Sequence, residues 1–195
     1  MGNRNDKGKE KAKGNEQAKD WGYMRWQSIQ FLYKELSKHS LENAVDALWI
    51  NILQLYFKVE YNYASGTQAH PNRQAKTKAD FVVRYVHNGL PRKVILIGNK
   101  SVCNESSDRT WHDAMEQLTD YMLHAVDARL KPKEDMYGIV TVGHYSRYYT
   151  LAVGSTTLTN FTSKYLDYSG EALHFKNDEY WMHTLLTELV ERTRR

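Results

Sequence analysis

Residues 78–100, KADFVVRYVHNGLPRKVILIGNK, are the segment that decides the fold. The first half, residues 80–86, is rich in β-branched and aromatic side chains, as expected of a β-strand. Asn88-Gly89 is a strong signal for a hairpin turn. Residues 94–97 are apolar at every position, which is typical of a strand that is buried on both faces. The segment therefore predicts an antiparallel hairpin whose second strand lies inside a sheet.

The predicted hairpin brings two charged side chains together. In an antiparallel pair, the start of the first strand lies beside the end of the second. Asp80 should therefore lie next to Gly98, Asn99 and Lys100. Side chains alternate along a strand, so residues 98 and 100 share one face of the sheet. The sequence thus predicts a carboxylate and an ammonium group at one end of the sheet, with a glycine between them.

A glutamine and a tyrosine follow on the next predicted helix, over residues 111–129. Gln117 and Tyr121 form the pattern Q-x-x-x-Y. Residues four apart lie on the same face of a helix, so these two side chains are expected to point in a common direction. The pattern is weak in isolation, and it gains meaning from its place directly after Lys100.

The hairpin and its polar end resemble the PD-(D/E)XK nuclease superfamily. That pattern is an Asp, a hairpin, and then Glu/Asp-x-Lys closing a hydrophobic strand. Asp80 and Lys100 match it, Ala79 stands where Pro is usual, and Gly98 stands where the second acid is usual. The Gln117–Tyr121 pair is similar to the motif of the RecB-like branch in the same place. The resemblance covers about residues 41–155 and implies a restriction-endonuclease-like core.

The resemblance also implies a chemistry, the metal-dependent hydrolysis of DNA phosphodiester bonds. Mg²⁺ or Mn²⁺ would be held by Asp80 and the backbone carbonyl of Asn99, with Glu60 as a further candidate ligand. Lys100 would orient water or neutralise negative charge, and Gln117 and Tyr121 would face the site. Gly98 offers no carboxylate, so the implied ion is weakly bound, and the chain is a weakened nuclease or a pseudoenzyme.

Three interpretations of Gly98 remain open from the sequence. It replaces a lost acid in a degenerate nuclease, or another carboxylate has taken over the role, with Glu60, Glu105 and Asp108 as candidates. In the third interpretation it marks a bulge or a close backbone approach in an unrelated sheet. A further possibility, that the chain is an unrelated α/β interaction protein, predicts that Asp80 and Lys100 do not meet.

The alternative function is a non-catalytic module on the same fold that binds nucleic acid or a protein. Basic residues near the predicted cleft are the candidates for phosphate contacts: Lys78, Arg84, Arg109 and Arg147. DNA is the expected partner, and RNA is compatible with the same chemistry. The net charge of +4 at pH 7 and the pI of about 9.0 permit such a partner without requiring it.

Composition limits the class of protein. With 195 residues and 41% hydrophobic content, the sequence predicts one globular domain over residues 20–195, after a polar, lysine-rich, disordered tail over residues 1–19. The single cysteine, Cys103, excludes an internal disulfide and favours an intracellular location, nuclear or cytoplasmic. Neither a secretory signal nor an apolar stretch long enough for a membrane span is found, and the oligomeric state is left open.

The remaining pattern predicts an α/β fold with a central mixed sheet of four to five strands flanked by helices. Helices are predicted over residues 21–38, 41–56, 111–129 and 178–194. Further strands are predicted over residues 57–63, 137–144, 148–153 and 173–175. Two acids near the early helices, Glu35 and Glu42, are interpreted as solvated helix charges.

Overall fold

The computed structural model of this chain describes residues 21–37, 42–69, 79–127 and 134–194. The predicted tail at residues 1–19 and the candidate Lys78 lie outside the described residues. The four helices are α1 (Gln27–Glu35), α2 (Glu42–Tyr56), α3 (Asp108–Asp127) and α4 (Glu179–Thr193). The seven strands are β1 (Tyr63–Ala69), β2 (Ala79–His87), β3 (Leu90–Lys100), β4 (Met136–Val142), β5 (Tyr145–Leu151), β6 (Thr159–Asn160) and β7 (Leu173–His174).

The strands form one mixed sheet in the order β1-β2-β3-β4-β5-β6, with β7 paired to β5. Every pairing is antiparallel except that of β3 with β4, which is parallel and is connected through α3. The predicted α/β class and mixed sheet are confirmed. The predicted count of four to five strands is too low. The short strand predicted over residues 173–175 is present as β7, whereas β6 is only two residues long and too short to show an alternating pattern in the sequence.

The predicted hairpin is present as β2 and β3. Asn88 and Gly89 have φ angles of 50° and 73°, which is the left-handed pair that a tight hairpin turn requires. Phe81 is paired with Ile97, and the register shifts by one residue between Val83 and Arg84. The bulge lies toward the turn of the hairpin. The pairing between it and Asp80, at the open end of the hairpin, is regular.

Helices cover both faces of the sheet. On one face, α1, α2 and α4 enclose a core that includes Trp49, Ile52 and Leu186. On the other face, α3 packs on β3 and β4 through residues such as Leu118. A Cβ at Gly138 would lie 2.7 Å from the Met122 sulfur, so glycine is what allows α3 to approach β4 this closely. None of the helices within the described ranges combines the length and the apolar character needed to span a bilayer.

The prediction of a strand over residues 57–63 is wrong. Val59–Tyr61 form a turn of 3-10 helix instead, and β1 begins only at Tyr63. The amides of Tyr61 and Asn62 donate to the carbonyls of Lys58 and Val59, so this segment satisfies its backbone groups locally. The alternation of apolar and polar side chains that suggested a strand has no sheet partner here.

We expect the free energy of unfolding to decrease as the pH falls below about 6.5, the ordinary pKa of histidine. Burial lowers the pKa of His183 and that of His174 in the folded chain. The unfolded chain then binds more protons than the folded chain, so stability present at pH 7 is lost on acidification. Urea titrations between pH 7.5 and 5 should show a shallower pH dependence for His183→Gln. His112→Gln, at an exposed histidine of α3, is the comparison variant; identical slopes for the wild type and His183→Gln would contradict the expectation.

Candidate functional site

Asp80 lies at the end of the sheet, where the predicted hairpin placed it. Continuing the register from the Phe81–Ile97 pair by one residue places Asp80 opposite Gly98. The Asn99 amide donates to Asp80 Oδ2 at 2.8 Å. This backbone bond fixes the carboxylate against the end of β3.

Lys100 is held from the other side by α3. Its Nζ donates to Gln117 Oε1 at 2.9 Å, and Gln117 Nε2 donates to the hydroxyl of Tyr121. Because Gln117 and Tyr121 are one helical turn apart, a single face of α3 supplies both groups. The two sequence patterns, the end of the hairpin and Q-x-x-x-Y, are therefore joined in one hydrogen-bonded chain.

Gly98 faces open space between these groups. In the described part of the chain, no atom outside its chain neighbours lies within 4 Å of the position that a Cβ would take. Gly98 also pairs regularly with Val140 in the parallel ladder, so it marks neither a bulge nor a close backbone approach. A longer side chain therefore has room at this position.

Two carboxylates from α2 complete the surroundings, and the sequence analysis did not assign either of them to the site. Glu42 Oε1 lies 3.8 Å from Lys100 Nζ. Asp46 Oδ1 accepts a hydrogen bond of 2.5 Å from Asn99 Nδ2. Glu42 and Asp46 are four residues apart and are the only acids of α2, which was the available signal.

The Asn99 side chain connects α2 to the neighbouring strand. While its Nδ2 donates to Asp46, its Oδ1 accepts from the Thr141 hydroxyl at 2.5 Å. Asn99 is only 1% exposed and Thr141 is fully buried. Asn99 was predicted to contribute its backbone carbonyl. The structure shows in addition that its buried side-chain amide orients α2 against the sheet.

The site disfavours negative charge in the absence of a cation. Burial raises the pKa of Asp80, Asp46 and Glu42 above the usual range for carboxyl groups. The charge of Asp80 raises the pKa of the two helix acids further, whereas the Lys100 ammonium opposes the shift in all three. A positively charged ligand would relieve this repulsion.

The donor set suits a hydrated divalent ion better than a fully coordinated one. No group of three or more His, Cys, Asp and Glu side chains in the described part of the chain is arranged to hold a metal ion. Mg²⁺ is usually bound by one or two carboxylates and keeps several waters. Asp80 is the principal donor, with Glu42 nearby, and the open space at Gly98 leaves room for water. Binding of Mg²⁺ or Mn²⁺ at these residues stays a prediction.

The other candidate acids do not join Asp80. Glu60 precedes β1 beside the turn end of β2, about six residues or 20 Å along the strand from Asp80. Glu105 Oε1 instead accepts from both the amide and the Nδ1 of His144 at 2.6 Å. Asp108 is exposed at the first residue of α3. Of the three substitutes considered for the missing acid, none lies beside Gly98.

The candidate phosphate-binding arginines differ in surroundings. Arg84 is half-buried, and its Nη1 would lie 3.1 Å from a Cβ at Gly66. The guanidinium of Arg147 lies 4.5 Å from the centre of the Trp111 ring, inside the contact between α3 and the sheet. Arg109 is exposed on α3, where its Nε lies 3.7 Å from Asp113. Of the three, Arg109 is the most accessible to a ligand, and nucleic-acid contact by these residues stays a prediction.

Comparison with known proteins gives no relative. No protein-family model, no curated protein and no solved structure matches this chain.

Proposed function

We propose that this chain is a PD-(D/E)XK-type nuclease domain of the RecB-like kind, with DNA as its substrate and activity weakened by Gly98. The observation that carries the proposal is that Asp80 and Lys100 lie at the same sheet end, near enough for the ammonium to lower the pKa of the carboxyl, with Lys100 hydrogen-bonded to the Q-x-x-x-Y helix.

The order of elements supports the same proposal. The chain runs α2, β1, β2, β3, α3 and β4, which is the αβββαβ order of the superfamily core. The site lies at the end of β3, where the adjacent parallel strand β4 also ends. The remaining elements, including β5 and α4, extend this core.

The proposed chemistry assigns a role to each group. A bound Mg²⁺ or Mn²⁺ would supply Lewis acidity and a lowered pKa of coordinated water. Asp80 would hold the ion, and its carboxylate is oriented by the Asn99 amide. Lys100, oriented by Gln117, would stabilise negative charge on the phosphate in the transition state. Tyr121 would hold the Gln117 amide in the orientation that leaves its oxygen to Lys100.

The alternative is a non-catalytic module that binds nucleic acid through the same cleft. One observation favours it: in the described ranges, Asp80 is not part of any three-ligand metal cluster. A cation that is coordinated by a single carboxylate would exchange readily with ions in solution and would support catalysis poorly. The two functions share Lys100 as a phosphate contact and differ in whether a phosphodiester bond is cut.

A cleavage assay with supercoiled and single-stranded DNA tests the proposal. We expect slow cleavage by the wild-type chain in Mn²⁺ or Mg²⁺ and none in EDTA. Lys100→Ala should lower the rate by about a hundredfold, the usual effect of removing one preorganised electrostatic group. Lys164→Ala, an exposed lysine beside α4, is the matched control and should cleave at the wild-type rate. Cleavage that persists unchanged in purified Lys100→Ala would overturn the assignment. Metal-independent DNA binding without cleavage would support the alternative.

A further inference from the structure

A second concave site lies away from Asp80 and Lys100, at the other end of α2. It is a cavity of about 250 Å³ between the segment that precedes α1, the end of α2 and the side of α4. Trp21 and Tyr56 both contact the His183 ring, with ring centres 5.5 Å apart in each case. Trp26 also lines the cavity and is 45% exposed. Aromatic side chains thus line a space that is open to solvent.

The cavity also carries a hydrogen-bond donor. Tyr56 Oη lies 2.8 Å from His183 Nδ1. Burial raises the pKa of Tyr56 and lowers that of His183, so the phenol is protonated and the imidazole is neutral at pH 7. In the tautomer in which the phenol donates to Nδ1, the ring proton is on Nε2. A ligand with an acceptor on the edge of a planar ring would match this donor.

Cations surround the aromatic residues. The Arg25 guanidinium lies 4.8 Å from the Trp26 ring centre, and Lys58 is part of the cavity wall. Two acids are also close. Glu60 is 3.4 Å from Lys58, and Glu179 is 7% exposed and accepts from the Met24 amide at 2.6 Å. Arg25 and Lys58 are exposed, as a contact with phosphate outside the cavity requires.

We propose that this cavity holds one unpaired nucleobase of a single-stranded nucleic acid, with the adjoining phosphates against Arg25 and Lys58. This inference rests on the proposed function for its class of substrate. Stacking on aromatic rings flanked by cations is the general way in which single strands are held without sequence preference. A volume of about 250 Å³ is below the roughly 300–1,000 Å³ of sites for drug-sized ligands and suits a single base.

The position of the cavity sets a minimum length for the strand. Glu42 lies near Lys100 and Tyr56 lines the cavity, at opposite ends of α2. Helix α2 has 15 residues, and at 1.5 Å per residue its ends are about 21 Å apart. At about 3.4 Å per nucleotide, a strand that stays stacked covers this distance in roughly six steps, or about seven nucleotides. A trinucleotide should therefore engage only one of them.

Substitution of Trp26 tests the cavity directly. Trp26 is not part of either hydrophobic core, so its loss should leave the fold intact. Binding of a labelled (dT)12 strand in EDTA, followed by fluorescence anisotropy, should be about tenfold weaker for Trp26→Ala, as expected for one lost stacking contact. Trp26→Phe should restore most of the affinity. The matched control is Phe31→Ala, which removes a 62% exposed aromatic residue of α1 that does not line the cavity.

Four outcomes separate this inference from the proposed function. If Trp26→Ala and Phe31→Ala both bind (dT)12 like the wild type, the cavity does not hold a base. An equal loss in both variants would also overturn the inference, because the effect would not be specific to the cavity. If duplex DNA of the same length competes as effectively as unlabelled (dT)12, the cavity does not require an unpaired base. That result would also overturn the inference. A specific loss in Trp26→Ala, in a chain that cuts no DNA with any metal, would support the cavity and reject the nuclease.

Discussion

Gly98→Glu is expected to raise the rate of Mg²⁺-dependent DNA cleavage by about a hundredfold or more, the usual value of one preorganised electrostatic group. The reason is geometric, since a side chain at residue 98 would enter open space between Asp80 and Lys100. A glutamate there would give the ion a second firm carboxylate, which is the number that Mg²⁺ sites commonly use. The measurement is single-turnover cleavage of a labelled DNA at fixed Mg²⁺.

Two further variants show whether the gain comes from the new carboxylate. Gly98→Gln has nearly the same shape without the charge and should cut at the wild-type rate. Gly98→Glu combined with Lys100→Ala should lose most of the gain, because Lys100 is bonded to Gln117 and would stabilise charge that develops on the phosphate. Equal rates for the Glu and Gln variants would show that residue 98 is not a metal-ligand position.

Metal-linked stability offers a readout of Gly98→Glu that does not depend on cleavage. An added carboxylate near Asp80 and Glu42 increases repulsion at a site where the pKa values of both are already raised. In EDTA the variant should therefore melt at a lower temperature than Gly98→Gln. Because a ligand that binds only the folded state stabilises it, Mg²⁺ should raise the Tm of Gly98→Glu more than that of the wild type. An unchanged response to Mg²⁺ would mean that no ion binds there.

The sequence predicted those parts of the site that local pattern determines. Strand propensity, the Asn88-Gly89 turn and strand alternation were enough to place Asp80 beside Gly98 and Lys100, and the structure has this arrangement. The helical spacing of Gln117 and Tyr121 likewise placed both groups on one face of α3. In each case the relevant residues are close in sequence or are joined by a short turn, so few alternative geometries exist.

The parts of the site that were missed depend on how distant elements pack. Asp46 reaches Asn99 only because α2 crosses the sheet at the end of β3, and no local pattern reports that crossing. Glu60 was proposed as a ligand because residues 57–63 alternate like a strand, whereas local hydrogen bonds fold them into a 3-10 turn. Acids on a helix are also usually solvated, so the spacing of Glu42 and Asp46 was not distinctive enough to assign them.

Asn99→Leu is expected to lower the free energy of unfolding by about 2–4 kcal/mol, since it leaves a buried hydroxyl and a carboxylate without their partner. Asn99 accepts from Thr141 and donates to Asp46 in a region where Asn99 is 1% exposed. Leucine has a similar volume, so lost hydrogen bonds dominate over a packing defect. Urea unfolding at pH 7 measures the change. A loss below about 0.5 kcal/mol, typical of surface positions, would show that the network contributes little.

A double-mutant cycle with Thr141 separates the buried hydroxyl from the carboxylate. Thr141→Val alone should destabilise the chain by about 1 kcal/mol, the usual net value of one hydrogen bond. In Asn99→Leu the Thr141 hydroxyl is already unpaired, so adding Thr141→Val removes an unsatisfied polar group and should recover stability. The double variant is therefore expected to be more stable than Asn99→Leu alone; strictly additive losses would mean that the two side chains act independently. Leucine retains the backbone N–H of residue 99, so Asp80 keeps its hydrogen bond from that group. We therefore expect the double variant Gly98→Glu/Asn99→Leu, where it is folded, to cleave DNA like Gly98→Glu alone.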